Sequence, residues 1–100
     1  MGLPVILTPQ AQEDLQGIVS FIARDNPEGA GSFGNELIDK ALSLTNLPLR
    51  GRVMPELNDS DVREIVHGPY RIIYEMLQDR IYVLRFWHGA RGEPKVQKQD

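Results

Sequence analysis

Cysteine is absent from the 100 residues of this chain, which removes disulfides, thiol nucleophiles and thiolate metal ligands and fits a reducing compartment. Histidine is scarce: His67 and His88 are the only two. They sit in no HxxxH or HExxH spacing, whereas a zinc site needs three or four N, S or O ligands, so no metal and no cofactor is expected. No run of about 18 apolar residues is available to cross a membrane. MGLPVILTPQ also lacks a basic stretch followed by a long apolar run and a small-residue cleavage site. The cytoplasm is the expected location. Ser20, Ser32, Ser43 and Ser60 have no nucleophile-elbow sequence around them, so serine-type covalent catalysis is not expected.

Positive charge is also in short supply. The formal net charge is −3, and residues 1–49 hold two basic and six acidic groups, a balance of −4, while residues 50–100 hold nine and eight, a balance of +1. Nucleic-acid binding draws much of its affinity from counterions released by Lys and Arg. This composition therefore argues against a general nucleic-acid binder unless arginines cluster in space. A chain of this length supplies one core and one domain. Its apolar share of 41% and charged share of 25% are those of an ordinary globular protein.

LPVIL (3–7) reads as a first strand, and Thr8-Pro9 behind it supplies an N-cap and a first-turn proline. Ala11, Leu15, Ile18 and Ile22 then share one helical face, with Gln12, Glu13, Asp14 and Gln16 opposite, over a helix running to about Arg24. Asn26-Pro27 repeats the start signal. The stripe Ala30, Phe33, Leu37, Ala41 and Leu44, reinforced by Ile38 and Leu42, makes a second helix, and the short link makes the two an antiparallel hairpin. Residues 48–61, rich in proline and turn formers, read as a loop. VREIVH (62–67), YRIIYEML (70–77) and RIYVLRFWH (80–88) are β-branched and aromatic, and the short links between them predict an antiparallel meander. The class expected is α+β, with a helical hairpin covering one face of a small sheet. The domain is expected to span 1–91, with 92–100 a polar tail.

Gly29-Ala30-Gly31-Ser32-Phe33-Gly34 matches the letters of a dinucleotide fingerprint. That motif requires a strand before it and a helix N-terminus aimed at pyrophosphate, whereas here a helix precedes and Ala30 and Phe33 belong to a buried stripe. Small residues allowing two helices to approach is the reading adopted.

The polar residues of the meander form the candidate site. With Gln78-Asp79 as a two-residue turn, Leu77 faces Arg80, Ile73 faces Leu84, Arg71 faces Phe86 and Tyr70 faces Trp87. In that register His88 lies on the side of Arg71, about 7–8 Å away diagonally. A one-residue slip would send them to opposite faces. Arg63, Arg71, His88 and Arg91 then make one constellation, suited to phosphate or carboxylate recognition with a histidine to move a proton. The alternative is structural ion pairing with Glu56, Glu64 or Glu75, favoured for Arg63 and Arg71; for His88 and Arg91 the two readings stand level. His67, before Gly68-Pro69, reads as an inert turn residue.

The stretch VREIVHGPYRIIYEMLQDRIYVLRFWHGAR (62–91) resembles the carboxy-terminal signature of the RelE/ParE toxin superfamily of bacterial type II toxin–antitoxin systems. An arginine on the first meander strand, YRIIY on the second and HGAR after the third carry the likeness, and the TP- and NP-opened helices and PLRGRVMPEL extend it over almost the whole chain. The resemblance implies a growth-arresting toxin that its cognate antitoxin neutralises in a hetero-oligomer. RelE-like members cut messenger RNA on the ribosome, and ParE-like members poison DNA gyrase through protein contact.

Arg63, Arg71 and His88 match functional positions of the RNA-cutting branch, while Arg91 in HGAR looks more like ParE. Cleaving members commonly carry a tyrosine close to the carboxy terminus, which GARGEPKVQKQD (89–100) lacks. The implied function is therefore inhibition of DNA gyrase by protein–protein contact, with no catalytic residue. The alternatives are a ribosome-dependent endoribonuclease, in which Arg71 and Arg91 bind phosphate and His88 handles a proton, and an inactive homologue kept as an interaction module. Either toxin implies an apolar groove for the antitoxin along the helical hairpin and the sheet edge.

Overall fold

In the computed structural model, which describes residues 2–100, Thr8 closes strand β1 (Val5–Leu7) and opens helix α1 (Pro9–Ala23). Its hydroxyl accepts the Ala11 N–H at 3.1 Å, and Pro9 takes a first-turn position that has no intrahelical donor to lose. Asn26 repeats the device for α2 (Pro27–Leu42), accepting the Gly29 N–H at 3.0 Å. A 3-10 turn at Ser43–Thr45 tightens the exit. Ala11, Ile18, Leu37, Ala41 and Leu44 are buried as the periodicity predicts, while Leu42 is exposed.

The rest of the chain completes a sheet with β2 (Arg52–Val53), β3 (Val62–His67), β4 (Tyr70–Met76) and β5 (Ile81–His88). Its order is β1-β5-β4-β3-β2. β1 runs parallel to β5, and the other pairs are antiparallel. The expected hairpin over one face and three-stranded meander are both present. The segment 48–61 is not loop throughout, because Arg52 and Val53 pair with Glu64 and Arg63 as an edge strand. Two residues carry no readable alternation, so tertiary pairing alone makes that strand. Tyr74, fully buried, donates to Pro48 O at 2.8 Å and accepts the Gly51 N–H at 2.9 Å, which pins the incoming loop. A Cβ on Gly51 would lie 2.6 Å from that hydroxyl, so only glycine fits.

Both faces of the sheet are covered. The inner face packs Ile72, Tyr74, Ile81, Val83 and Phe86 against the helices. On the outer face Met54, Val62, Ile73, Leu84 and Trp87 make a second cluster, which explains why YRIIYEM reads as a nearly continuous apolar run rather than a strict alternation. Fully burying each such large side chain contributes about 1.5–3 kcal/mol. Residues 92–100 have neither helix nor strand, yet they lie along this outer face, with Pro94 buried and Val96 packed on the second cluster.

The GAGSFG stretch lies inside α2, with Ala30 and Gly34 buried. A Cβ on Gly34 would stand 2.8 Å from Val19 Cγ2 of α1, so the glycine sets the distance between the helices. Gly34→Leu is expected to lower stability by about 1–3 kcal/mol through overpacking. The measurement is the urea midpoint at constant m-value.

Candidate functional site

One extra residue in β5 decides the geometry of the site. Near the turn the expected register holds: Leu77 N–H donates to Arg80 O, and Met76, Glu75 and Tyr74 face Ile81, Tyr82 and Val83. A bulge between Ile73 and Tyr74 then leaves Leu84 unmatched, so Ile73 faces Arg85, Arg71 faces Trp87 and Tyr70 faces His88. The expected pairings of Arg71 with Phe86 and of Tyr70 with Trp87 are corrected accordingly. Because side chains alternate in direction along a strand, the shift sends His88 to the face opposite Arg71.

The bulge is stitched from the N-terminal segment. Thr8 N–H donates to Val83 O at 3.1 Å and its hydroxyl to Leu84 O at 3.3 Å. Asp14, on the first helix, accepts the Phe86 N–H at 3.1 Å. The same carboxylate takes Arg85 in a bidentate grip, Nε at 2.7 Å and Nη2 at 2.8 Å. Asp14 is therefore not a solvent-facing residue as the helical pattern suggests, and its side chain is only 8% exposed.

RFWHGAR folds into a clip around this point. Arg85 and Arg91 approach the Trp87 ring from 4.8 and 3.9 Å, both within cation–π range. Trp87 Nε1–H donates to Gly92 O at 3.1 Å. His88 caps the 3-10 turn Gly89–Arg91, its Nδ1 accepting the Ala90 N–H at 3.0 Å. With Nδ1 occupied as an acceptor, the neutral ring carries its proton on Nε2 and presents a donor rather than a base. The ring meets Tyr70 edge-on at 5.1 Å.

Arg71 lies on the outer face and is fully engaged. Two of its nitrogens donate to the Glu56 carboxylate at 2.7 and 2.8 Å, and Nε donates to Glu64 at 2.7 Å. Glu64, buried, also holds Arg52 at 2.6 Å. Two guanidiniums and two carboxylates thus cancel. The Arg71 hydrogen bonds hold the Glu56 carboxyl at about 2, against an ordinary 4.5, and Glu56 in turn pushes Arg71 further above the usual guanidinium range. Arg63 lies on the opposite face, facing Tyr74 and donating to Gly51 O at 3.0 Å.

Of the four expected site residues, the structure brings together only His88 and Arg91. They line a groove of about 400 Å³ between α1 and the end of β5, with Glu13, Gly17, Phe21 and Tyr70. Phe21 is the most exposed large apolar side chain there, at 68%. Burial raises the Tyr70 hydroxyl above its ordinary value, so it is protonated at neutral pH. Glu13 and Asp14 balance Arg85 and Arg91 on the groove wall. Among the described residues no three His, Asp or Glu side chains converge to hold a metal ion. Asp14, Arg85 and Arg52 are residues that the sequence reading missed. Asp14 follows Ala11 by three and precedes Ile18 by four, inside the buried stripe, which was the available signal that it needs a partner.

A hairpin of helices over a five-stranded sheet edged by a parallel N-terminal strand defines a fold class already seen in toxin–antitoxin assemblies. The structure superposes on a chain of the chromosomal ParDE system from P. aeruginosa with a TM-score of 0.73 and 19% identity, covering 86% of this chain and 95% of that one. A chain of the RelBE2 toxin–antitoxin complex from Mycobacterium tuberculosis matches with a TM-score of 0.61 and 20% identity, over 88% and 99% of the two chains. The sequence is 31% identical over 91 residues to Toxin RelE1 of Caulobacter vibrioides, covering 89% of this chain and 96% of that toxin. The family of the ParE toxin of type II toxin–antitoxin systems matches residues 5–92, and this chain belongs to it. It is a toxin of the RelE/ParE superfamily. Among the described residues no helix is long and apolar enough to cross a membrane.

Removing Asp14 strands a nearly buried guanidinium and an amide at the bulge. Asp14→Ala is expected to cost about 3–5 kcal/mol, read from urea unfolding at pH 7. Glu56 gives a pH signature: a carboxyl lowered from 4.5 to about 2 adds stability that is complete above pH 4.5 and lost as pH falls toward 2. Glu56→Gln is therefore expected to be less stable than wild type at pH 6, with the gap closing by pH 2 in parallel urea titrations.

Proposed function

We propose that the protein arrests growth by poisoning DNA gyrase through protein–protein contact, without catalysing a reaction itself, and that a cognate antitoxin neutralises it. The observation that carries this reading is the state of Arg71, Arg85 and His88: each is committed to the fold. Cleavage of RNA through its 2′-hydroxyl needs a base for that hydroxyl and cations on the phosphate. His88 presents an N–H outward while its other nitrogen caps a turn. Arg71 is neutralised by Glu56 and Glu64, and Arg85 by Asp14. The groove that holds His88 and Arg91 counts as many carboxylates as guanidiniums, a poor field for a polyanion.

The same groove suits protein contact. Phe21 supplies an exposed apolar anchor, and the Arg91 guanidinium, stacked on Trp87, supplies a rigid cation beside it; aromatic and arginine side chains are the usual anchors of protein interfaces. Antitoxin binding is supported by the two fold matches, whose structures are toxin–antitoxin assemblies.

The test incubates purified, antitoxin-free protein with gyrase, ATP and supercoiled plasmid, followed by detergent and protease. Linear DNA is the expected product. Intact DNA beside ribosome-dependent messenger cleavage overturns the reading in favour of an endoribonuclease, and no effect in either assay marks an interaction module. His88→Asn sharpens the result, because asparagine keeps a capping acceptor but cannot take up a proton. It is expected to retain at least about half of the gyrase poisoning, since a replaced cap costs only about 1 kcal/mol.

A further inference from the structure

The outer face of the sheet carries a feature that the proposed gyrase contact does not use. Glu75 stands on β4 between Val62 and Tyr82 of the neighbouring strands, on the face of the second apolar cluster and apart from the Arg71–Glu64 pair, and has no solvent exposure. Its Oε1 accepts the Gln99 N–H at 2.8 Å. Its Oε2 has no hydrogen-bond partner and lies 4.0 Å from Lys98 Nζ. A buried carboxylate is unfavourable unless paired, so the sheet by itself gives no reason for this acid. A cation arriving from outside does.

The residues that meet it come from the tail. Val96 packs on the apolar cluster beside Trp87, and Lys98 donates to Asp59 at 2.7 Å. The tail forms no strand, so side chains and a few single hydrogen bonds hold it, and both partners of the Lys98–Asp59 pair are about a third exposed, where salt screens them. The family match covers residues 5–92 and leaves this segment outside it.

We propose that the outer sheet face is a binding groove for an extended, lysine-bearing segment, and that residues 93–100 of this chain occupy it as a detachable latch. Val96 fills the apolar cluster, Lys98 is drawn between Asp59 and Glu75, and the Gln99 amide closes on Glu75. Release bares Trp87 and Glu75 while the helices and strands stay in place, because the tail contributes to neither. The seat belongs to the low-stability end of the molecule, where segments open without global unfolding.

Trp87 is the only tryptophan and lies under the tail, 3% exposed, so its emission reports the latch in the full-length chain. Val96→Asp and Lys98→Glu are expected to shift emission to the red and raise acrylamide quenching roughly twofold or more, with far-UV circular dichroism unchanged. Adding the peptide EPKVQKQD to the Lys98→Glu protein is expected to restore the native emission saturably, and EPKDQEQD is not. Unchanged emission in both variants, or exposure of Trp87 only together with loss of helical signal, overturns the latch. Failure of the peptide to restore emission overturns the groove. Wild-type emission that depends on protein concentration overturns the intramolecular seat in favour of tails exchanged between copies.

Discussion

The bulge at Leu84 is the constraint on which the rest of the structure depends. It disturbs the ladder of β5 where the strand is buried on both faces, and an unpaired backbone group there costs about 1–3 kcal/mol. Thr8 and Asp14 remove that cost by bonding the Val83 and Leu84 carbonyls and the Phe86 amide. Thr8 at the same time caps α1, so strand end, helix start and bulge are one device. The same segment joins β1, which runs parallel to β5 along Ile81–Val83, to α1.

The bulge also determines what the polar residues of the meander can do. Without it Arg71 and His88 would share a face and resemble an anion site. With it, His88 turns inward to Tyr70 and caps the following turn, and Trp87 turns outward to accept Arg91 and the tail. Arg71 is left among Glu56 and Glu64. Arg71 and His88 thus each have an internal partner, and on this the proposed non-catalytic reading rests. On the proposed reading, recognition falls to the rim of the groove beside α1, where Phe21 and Arg91 offer apolar area and one cation.

Much of this fold is readable in the sequence, and the parts that are not share a cause. Thr8-Pro9 and Asn26-Pro27 announce both helices because capping acts within one turn of chain. The three meander strands are visible in β-branched and aromatic content, and their turn residue by residue. The bulge is invisible because Val83 and Leu84 are both apolar and both faces of the sheet are buried, so either register satisfies the hydrophobic pattern. The site follows: a regular ladder puts Arg71 and His88 on one face, and the bulge puts them on opposite faces. Arg52–Val53 escapes notice because two residues have no period. Asp14 was detectable, as an acid set between Ala11 and Ile18 on the buried stripe.

The sequence by itself determined the class, the two helices with their caps, the meander, the glycine contact between helices and the membership in a toxin family. The helices and caps depend on interactions among residues three or four apart and the meander on β-branched and aromatic runs, while the family is carried by the likeness of motifs along the chain. Only the tertiary structure decided the register beyond Ile73, the parallel edge strand, the partners of Arg71 and His88 and the seating of the tail. Those rest on contacts such as Thr8 with Leu84 and Asp14 with Arg85, 76 and 71 residues apart, whose pairing depends on how the chain closes in space rather than on any local pattern.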